Sequence, residues 1–372
     1  MDDVVVAGAG PAGALAATIL SRAGLKVRLF DRSRFPRHKL CGDTLNPGAL
    51  DVLRRHLDVQ PLIDKSVPID GMLLTGPGRV RVRGEYGDGI AGRSITRTVL
   101  DDWLVQQALA TGVQFDDGVS IRQVAIGDGR VAGVIADQRA HPAKMVIAAD
   151  GRRSAIAISR GLARQPKHPR RWAIGGYFTG VTGMTRLGEM HVRRGHYIGV
   201  APVPGGSTNA CLVIPHYTGD APVGDPAIAL KRALDADPQL RCRFANAQAV
   251  DAPVMLGPMA VDTLAAGEPG LLLAGDAAGF IDPMTGDGLR FAFLGAELAA
   301  AVINDVFNGR VPIDRAHVEL AKRRRSAFGS KWRFNRALRS LVASPFSVTA
   351  AAATARVLPP VFEGMIRYAG DV

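Results

Sequence analysis

Near its amino terminus the chain reads Val4-Val5-Val6-Ala7, then Gly8-Ala9-Gly10-Pro11-Ala12-Gly13, then an alanine-rich run from Ala14 to Ala23. A second apolar stretch, Lys26-Val27-Arg28-Leu29-Phe30, ends on Asp31 and Arg32. Apolar run, G-x-G-x-x-G turn, helical stretch and second apolar run closing on a carboxylate define a βαβ unit shaped to hold a dinucleotide. Gly8 permits the tight turn, Gly10 lets the backbone approach a pyrophosphate, and Gly13 lets helix and strand pack closely. The phosphates are expected at the helix start beside Pro11 and Ala12, where unpaired N–H groups and the helix macrodipole favour an anion. Asp31 lies 21 residues after Gly10, where its side chain can accept from both hydroxyls of an adenosine ribose, with Arg32 beside it.

This unit alone does not separate NAD from FAD. The decision comes from the far end of the chain, where Gly270-Leu271-Leu272-Leu273-Ala274 reads as a buried strand leading into Gly275-Asp276-Ala277-Ala278-Gly279. A ribityl chain carries hydroxyls that an acceptor such as Asp276 can hold, and NAD has no such chain. After Asp282-Pro283-Met284-Thr285-Gly286-Asp287-Gly288 comes a helical run from Leu289 to Phe307, whose first N–H groups can face the flavin N1 and C2 carbonyl region.

Three ordered motifs now stand together: the Gly8–Asp31 unit, Asp150-Gly151 within Ala148-Ala149-Asp150-Gly151-Arg152-Arg153-Ser154, and Gly275-Asp276. In order and spacing they resemble the flavoprotein hydroxylase superfamily with the p-hydroxybenzoate hydroxylase fold. The resemblance implies bound FAD, with Asp150 near the pyrophosphate, Asp276 on the ribityl chain, and Arg97 at a helix start beside the flavin. It also implies an α/β chain (α+β in two lobes): a Rossmann-type FAD-binding domain from 1–70, 95–160 and 255–310, an interleaved antiparallel-sheet substrate domain from 71–94 and 161–254, and a helical segment over 311–372. Strands are expected over Trp172 to Phe178, His191 to Val203 and Asn209 to Pro215, with a hairpin from Gly71 to Tyr86 and helix breaks at Pro345, Pro359 and Pro360.

The stretch Phe35-Pro36-Arg37-His38-Lys39-Leu40-Cys41-Gly42-Asp43 is similar to the F-P-R-x-K-x-C-G-G loop of the geranylgeranyl reductase branch, as is the run through Pro283, Gly286 and Gly288 to Leu289. The resemblance puts Cys41 and Gly42 close to the isoalloxazine, where Cys41 relays a proton or shapes the pocket, and lets Lys39 hold an anionic group or a flavin phosphate. Asp43 replaces the second glycine; facing the flavin, it is a candidate acid whose pKa partial burial raises. Prenyl reductases carry Y-x-W-x-F-P on the substrate sheet. Here Tyr197-Ile198-Gly199-Val200-Ala201-Pro202 places Gly199 and Ala201 where two large rings are expected, which suits a wider, aromatic or polyketide-like substrate. The expected reaction is therefore hydroxylation of a lipophilic substrate through a flavin C4a-hydroperoxide. The rivals are reduction of a prenyl or enone C=C bond and simple electron carriage. Cys41, Asp43 and Arg97 are the candidate catalytic residues; Tyr197, Gly199, Ala201 and Pro202 line the candidate substrate pocket.

Other features bound the partners. No second glycine-rich unit exists for a nicotinamide, so NAD(P)H visits transiently or a separate protein supplies electrons. Trp103, Trp172 and Trp332 are isolated, without the W-x-W-x-I-P signature of tryptophan halogenases. His191, His196 and His216 lack metal-ligand spacing and read as ordinary polar residues, so no metal is expected. Cys41, Cys211 and Cys242 read as reduced thiols. The net charge of +12 is concentrated: residues 321–340 hold eight basic side chains and no acidic one. With interleaved Phe328, Trp332 and Phe334, this segment is a candidate for peripheral contact with an anionic membrane face, and no nucleic-acid module is present. An acidic start without a signal sequence, and apolar runs broken by charges and prolines, lead to the expectation of a cytoplasmic protein.

Overall fold

The structure is a computed structural model that describes all residues except 78–79, 88, 167–169, 217–223, 281–285 and 344–358; at 170, 215–216, 338–343, 359 and 362 the backbone alone is described. The apolar runs from the two ends of the chain meet in one sheet. Asp2–Ala7 lies parallel between Val27–Asp31 and Arg139–Ala148, Val4 standing opposite both Val27 and Met145. Leu271–Leu273 adds in parallel beyond Arg139–Ala148, and Gln114–Asp117 extends the other edge. Val4, Val5, Val6 and Leu271 to Leu273 have no exposed surface, as expected of parallel strands covered on both faces.

The helix Pro11–Arg22 packs on this sheet through Ala14, Ala16 and Ala17, whose small side chains admit the helices Arg97–Ala110 and Gly288–Phe307 close to it. Phe293 of the last helix is fully buried in that contact, where a side chain of its size contributes roughly 1.5–3 kcal/mol.

The middle of the chain builds a second, mainly antiparallel sheet. Its order is Gln248–Ala249, Arg170–Thr179, Ser207–His216, His196–Val203, Leu187–Arg193, Gly71–Thr75 and Arg81–Glu85, with Val254–Leu256 also pairing on Arg170–Thr179. Period-two alternation gives each strand two faces. Ile198, Val200 and Leu212 meet Leu230 and Leu234 of the helix Pro226–Ala236, while Ala173, Tyr197 and Val213 form the opposite surface. The stretch expected as one strand over His191 to Val203 is two, because the chain turns at Arg194-Gly195, where Gly195 takes φ 81°. The hairpin from Gly71 appears as expected, in this sheet.

The architecture is thus the expected α/β class: a Rossmann-type sheet, an inserted antiparallel sheet and carboxy-terminal helices. Those helices are Ala316–Ala343 and Pro359–Gly370; Pro359 opens the second, and Pro345 lies outside the described residues. The basic segment is less available than its composition implies. Arg324 and Lys331 are buried, Arg324 donating to the Ala278 carbonyl at 2.9 Å, and Arg323 pairs with Asp305 and Glu319. Lys322, Arg325, Arg333 and Arg336 remain exposed, so the membrane contact drawn from all eight cations has no support as stated. Among the described residues no helix is long and apolar enough to cross a membrane.

Candidate active site

Both sheets contribute to one cavity of about 210 Å³. On the parallel-sheet side it is walled by Gly10, Pro11, Ala12, Gly275, Asp276, Gly286, Gly288 and Leu289, and on the other by Tyr197, Gly199 and Ala201; Lys39, Cys41, Gly42 and Arg97 lie between.

The glycine turn has the geometry its spacing predicts. Gly8 takes φ 103° and a Cβ there would meet the Ala149 carbonyl oxygen at 2.4 Å; a Cβ on Gly13 would meet the Gly8 carbonyl oxygen at 1.7 Å. A Cβ on Gly10 would meet only Arg37 Nη2, at 3.4 Å. The first turn of the Pro11–Arg22 helix therefore opens on the cavity, and no side chain caps it. Asp31 is buried and faces the turn itself: Oδ2 accepts from Ala9 N at 2.8 Å and Oδ1 from Ser33 N at 2.8 Å. Its first effect is to fix the turn. Gly8, Gly13, Asp31, exposed Arg32 and Asp150 do not line the cavity. Asp150 instead accepts from Ala155 N at 3.0 Å, and burial raises its carboxyl.

Two cations at the cavity await an anion. Arg152 has a buried Nε with no hydrogen-bond partner, and burial pulls its pKa down against the attraction of Asp276. Lys39, half-buried, has no ion pair among the described residues; burial, together with Arg97 and Arg37, lowers it to about 8 against the pull of Asp276. A pyrophosphate bound in this cavity would give both a partner. The residues present fit FAD: Lys39, Arg152 and the helix start for the phosphates, Asp276 for ribityl hydroxyls.

The cysteine loop is tied down on both sides. Arg97, 5% exposed, donates through Nε and Nη2 to Asp101 at 2.6 and 2.7 Å, and Arg37 Nη2 reaches the same carboxylate at 3.2 Å. Burial opposes the charge of Arg97, but Asp101 and the hydrogen-bonded Cys41 side chain outweigh it and hold the guanidinium protonated beyond its ordinary range. Asp43 does not face the cavity. It has no exposed surface, sits at φ 55°, and accepts from Arg97 N at 3.2 Å, from Asn209 Nδ2 at 2.8 Å and from the Tyr177 hydroxyl. Burial pushes it up to about 7 against those three donors and the Arg97 charge.

In the sheet wall, Tyr197, Gly199 and Ala201 line the cavity together with Val200 between them, and Pro202 does not. Met190, Gly199, Cys211 and Gly175 form one cross-strand row. A Cβ on Gly199 would meet nothing closer than 3.9 Å, so the residue opens the cavity; beside it, burial pushes the Cys211 thiol up to about 12. His191 is a buried structural residue, between Thr75 Oγ1 and Glu189 Oε2 at 2.9 Å each. Pro283 lies outside the described residues. Among those described, no cluster of His, Cys, Asp and Glu could hold a metal.

Sequence reasoning missed Asp101, Arg152, Tyr177, Asn209 and Cys211. Asp101 carried a readable signal, four residues beyond Arg97 on one helix, and Arg152 adjoins the Asp-Gly motif. The other three enter only through sheet pairing.

A dinucleotide turn that opens on an apolar chamber between the two sheets is the arrangement of a flavin-dependent oxidoreductase. The chain belongs to the FAD binding domain family, whose model matches residues 1–331, and is an FAD-dependent enzyme of the p-hydroxybenzoate hydroxylase-type superfamily. It is similar to digeranylgeranylglycerophospholipid reductase 2 of Methanopyrus kandleri, 29% identical over 311 residues, 81% of this chain and 76% of that one. Menaquinone reductase of Mycolicibacterium smegmatis is 29% identical over 316 residues, with the same coverage of each chain. Among solved structures, the flavin-dependent brominase Bmp2 superposes with a TM-score of 0.84 at 21% identity, over 99% of this chain and 93% of that one, which shows the shared fold.

Proposed function

We propose that the chain reduces a carbon–carbon double bond in a lipophilic substrate, with Cys41 as proton donor. The observation that carries this reading is that Cys41 and Arg97 stand together in the wall of the cavity, beside the apolar sheet face. The buried guanidinium, anchored twice on Asp101, supplies a fixed positive charge beside the sulfur from which the proton leaves. Bound reduced FAD supplies the hydride. Tyr197, Gly199, Met190 and Val213 exclude water and hold the apolar substrate against that end of the cavity. Lys39 and Arg152 hold the cofactor's phosphates. Asp43, buried behind the loop, positions Cys41 through Asn209, whose Nδ2 also donates to the Cys41 carbonyl at 2.9 Å. The likeness to reductases of a prenyl lipid and of menaquinone over 81% of the chain supports the same class of substrate. Sheet membership supports a cofactor lobe from 1–70, 95–160 and 255–310 and a substrate lobe from 71–94 and 161–254. NAD(P)H is the proposed reductant.

Hydroxylation of an aromatic substrate is the second reading, favoured by the open space at Gly199 and the small Ala201. It demands no proton donor in the protein. Rapid mixing of reduced holoprotein with oxygen separates the two. The reductase reading predicts return to the oxidised spectrum in one phase; a transient with its own absorbance, lengthened by lipophilic phenols, establishes the second reading instead.

A further inference from the structure

Between the two flavin-side glycines Gly286 and Gly288 stands Asp287, 1% exposed, at the start of the Gly288–Phe307 helix. It makes no part of the reaction proposed above, yet its neighbours adjoin the cavity. Asn46 Nδ2 donates to Oδ1 at 3.0 Å and Asn335 Nδ2 approaches Oδ2 at 3.5 Å. Among the described residues it pairs with Lys331, 3% exposed, with Nζ 3.9 Å from Oδ1. Lys331 is itself held by the carboxy-terminal helix: it donates to the carbonyls of Tyr368 and, at 3.2 Å, Ala369, pairs with Asp371 at 3.0 Å and lies 4.5 Å above the Tyr368 ring. Asn46 reaches the same Ala369 carbonyl at 3.1 Å, and Arg290, on the cavity-side helix, pairs with Asp371. The carboxy-terminal helix thus converges on the buried carboxylate at the N-terminus of the helix that borders the flavin.

We infer that Lys331 is an electrostatic positioning residue, which the Pro359–Gly370 helix holds in place to neutralise Asp287 and so set the reduction potential of the bound flavin. A buried carboxylate one residue from the cavity disfavours the negative charge that a flavin gains on reduction, and at low local dielectric its effect reaches several ångströms. It also opposes the helix dipole at the position where that dipole would help. Lys331 removes this opposition. The inference holds for either reaction proposed above, since both begin with reduced flavin.

The test is the midpoint potential of the purified holoprotein, read spectroscopically with a reference dye. Lys331→Met lowers it, Lys331→Arg keeps the parent value, Asp287→Asn raises it, and the double variant Lys331→Met/Asp287→Asn returns close to the parent. An unchanged potential in FAD-loaded Lys331→Met overturns the inference, as does a double variant no closer to the parent than Lys331→Met. If Lys331→Met does not retain FAD, Asp287→Asn decides: a raised potential sustains the inference and an unchanged or lowered one overturns it.

Discussion

The side-chain amide of Asn209 donates to Asp43 at 2.8 Å, joining a strand of the substrate sheet to the loop that carries Cys41. The same nitrogen donates to the Cys41 carbonyl, so one residue of the inserted sheet fixes the height of the thiol above the cavity. Asn209→Ala is therefore expected to slow double-bond reduction while leaving FAD content unchanged. Loss of FAD in this variant contradicts a role confined to the cysteine loop.

Asp43 gives a pH signature. Its ordinary value is 3.8 and burial raises it to about 7 in the folded protein. Over that window the folded state binds more protons at this site than the unfolded state does. Its contribution is full below pH 4 and is lost as pH rises through 7. Compared with Asp43→Asn, the parent should lose thermal stability between pH 5 and pH 8. Thermal melts of both proteins across this range check it, and parallel curves contradict the burial of an ionisable carboxyl at this position.

Asp31 and Asp276 should separate by their effects on the apoprotein. Asp31 holds one backbone amide of the dinucleotide turn, Ala9 N, and one of the loop after its own strand, Ser33 N, and hydrogen bonds to a charged group contribute roughly 1.5–3 kcal/mol each. Asp31→Ala should lower the melting temperature of the apoprotein and weaken FAD retention together. Asp276→Ala, at the cavity wall, should weaken FAD retention with little change in the apoprotein melt. Fully yellow protein from both variants contradicts both assignments.

Gly199 offers a steric test. With nothing closer than 3.9 Å to a Cβ, a large side chain here projects into the chamber instead of into the sheet. Gly199→Trp should leave folding and FAD content intact and raise KM for ring-bearing substrates at least about tenfold, the effect of ~1.4 kcal/mol of lost binding. Unchanged KM places the substrate elsewhere.

The βαβ turn was legible in the sequence because local chemistry determines it: a glycine turn, a following helix and a terminal carboxylate lie within 24 residues, from Gly8 to Asp31. Even there, the backbone bonds of Asp31 to Ala9 and Ser33 were not, since a motif gives a residue's place but not which groups its two oxygens meet. The substrate half depends on register. Gly199, Cys211 and Gly175 become neighbours only through strand pairing, and Tyr177 and Asn209 reach Asp43 from strands more than 130 residues away in sequence. Composition misled most in the 321–340 segment, where buried Arg324 and Lys331 serve the interior.

Cys41 carries the central claim, and the most direct measurement is an anaerobic single turnover. Holoprotein reduced with dithionite, freed of excess reductant, is mixed with a polyprenyl lipid that carries no quinone ring, and flavin reoxidation is followed alongside product mass. The account predicts reoxidation matched by a product two hydrogens heavier, slowed by about 100-fold or more in Cys41→Ser, a loss in the range of general acid catalysis. Equal oxidation of both proteins by air shows that the flavin itself is unaffected. A product that forms only when oxygen is admitted, and carries an added oxygen atom, contradicts it.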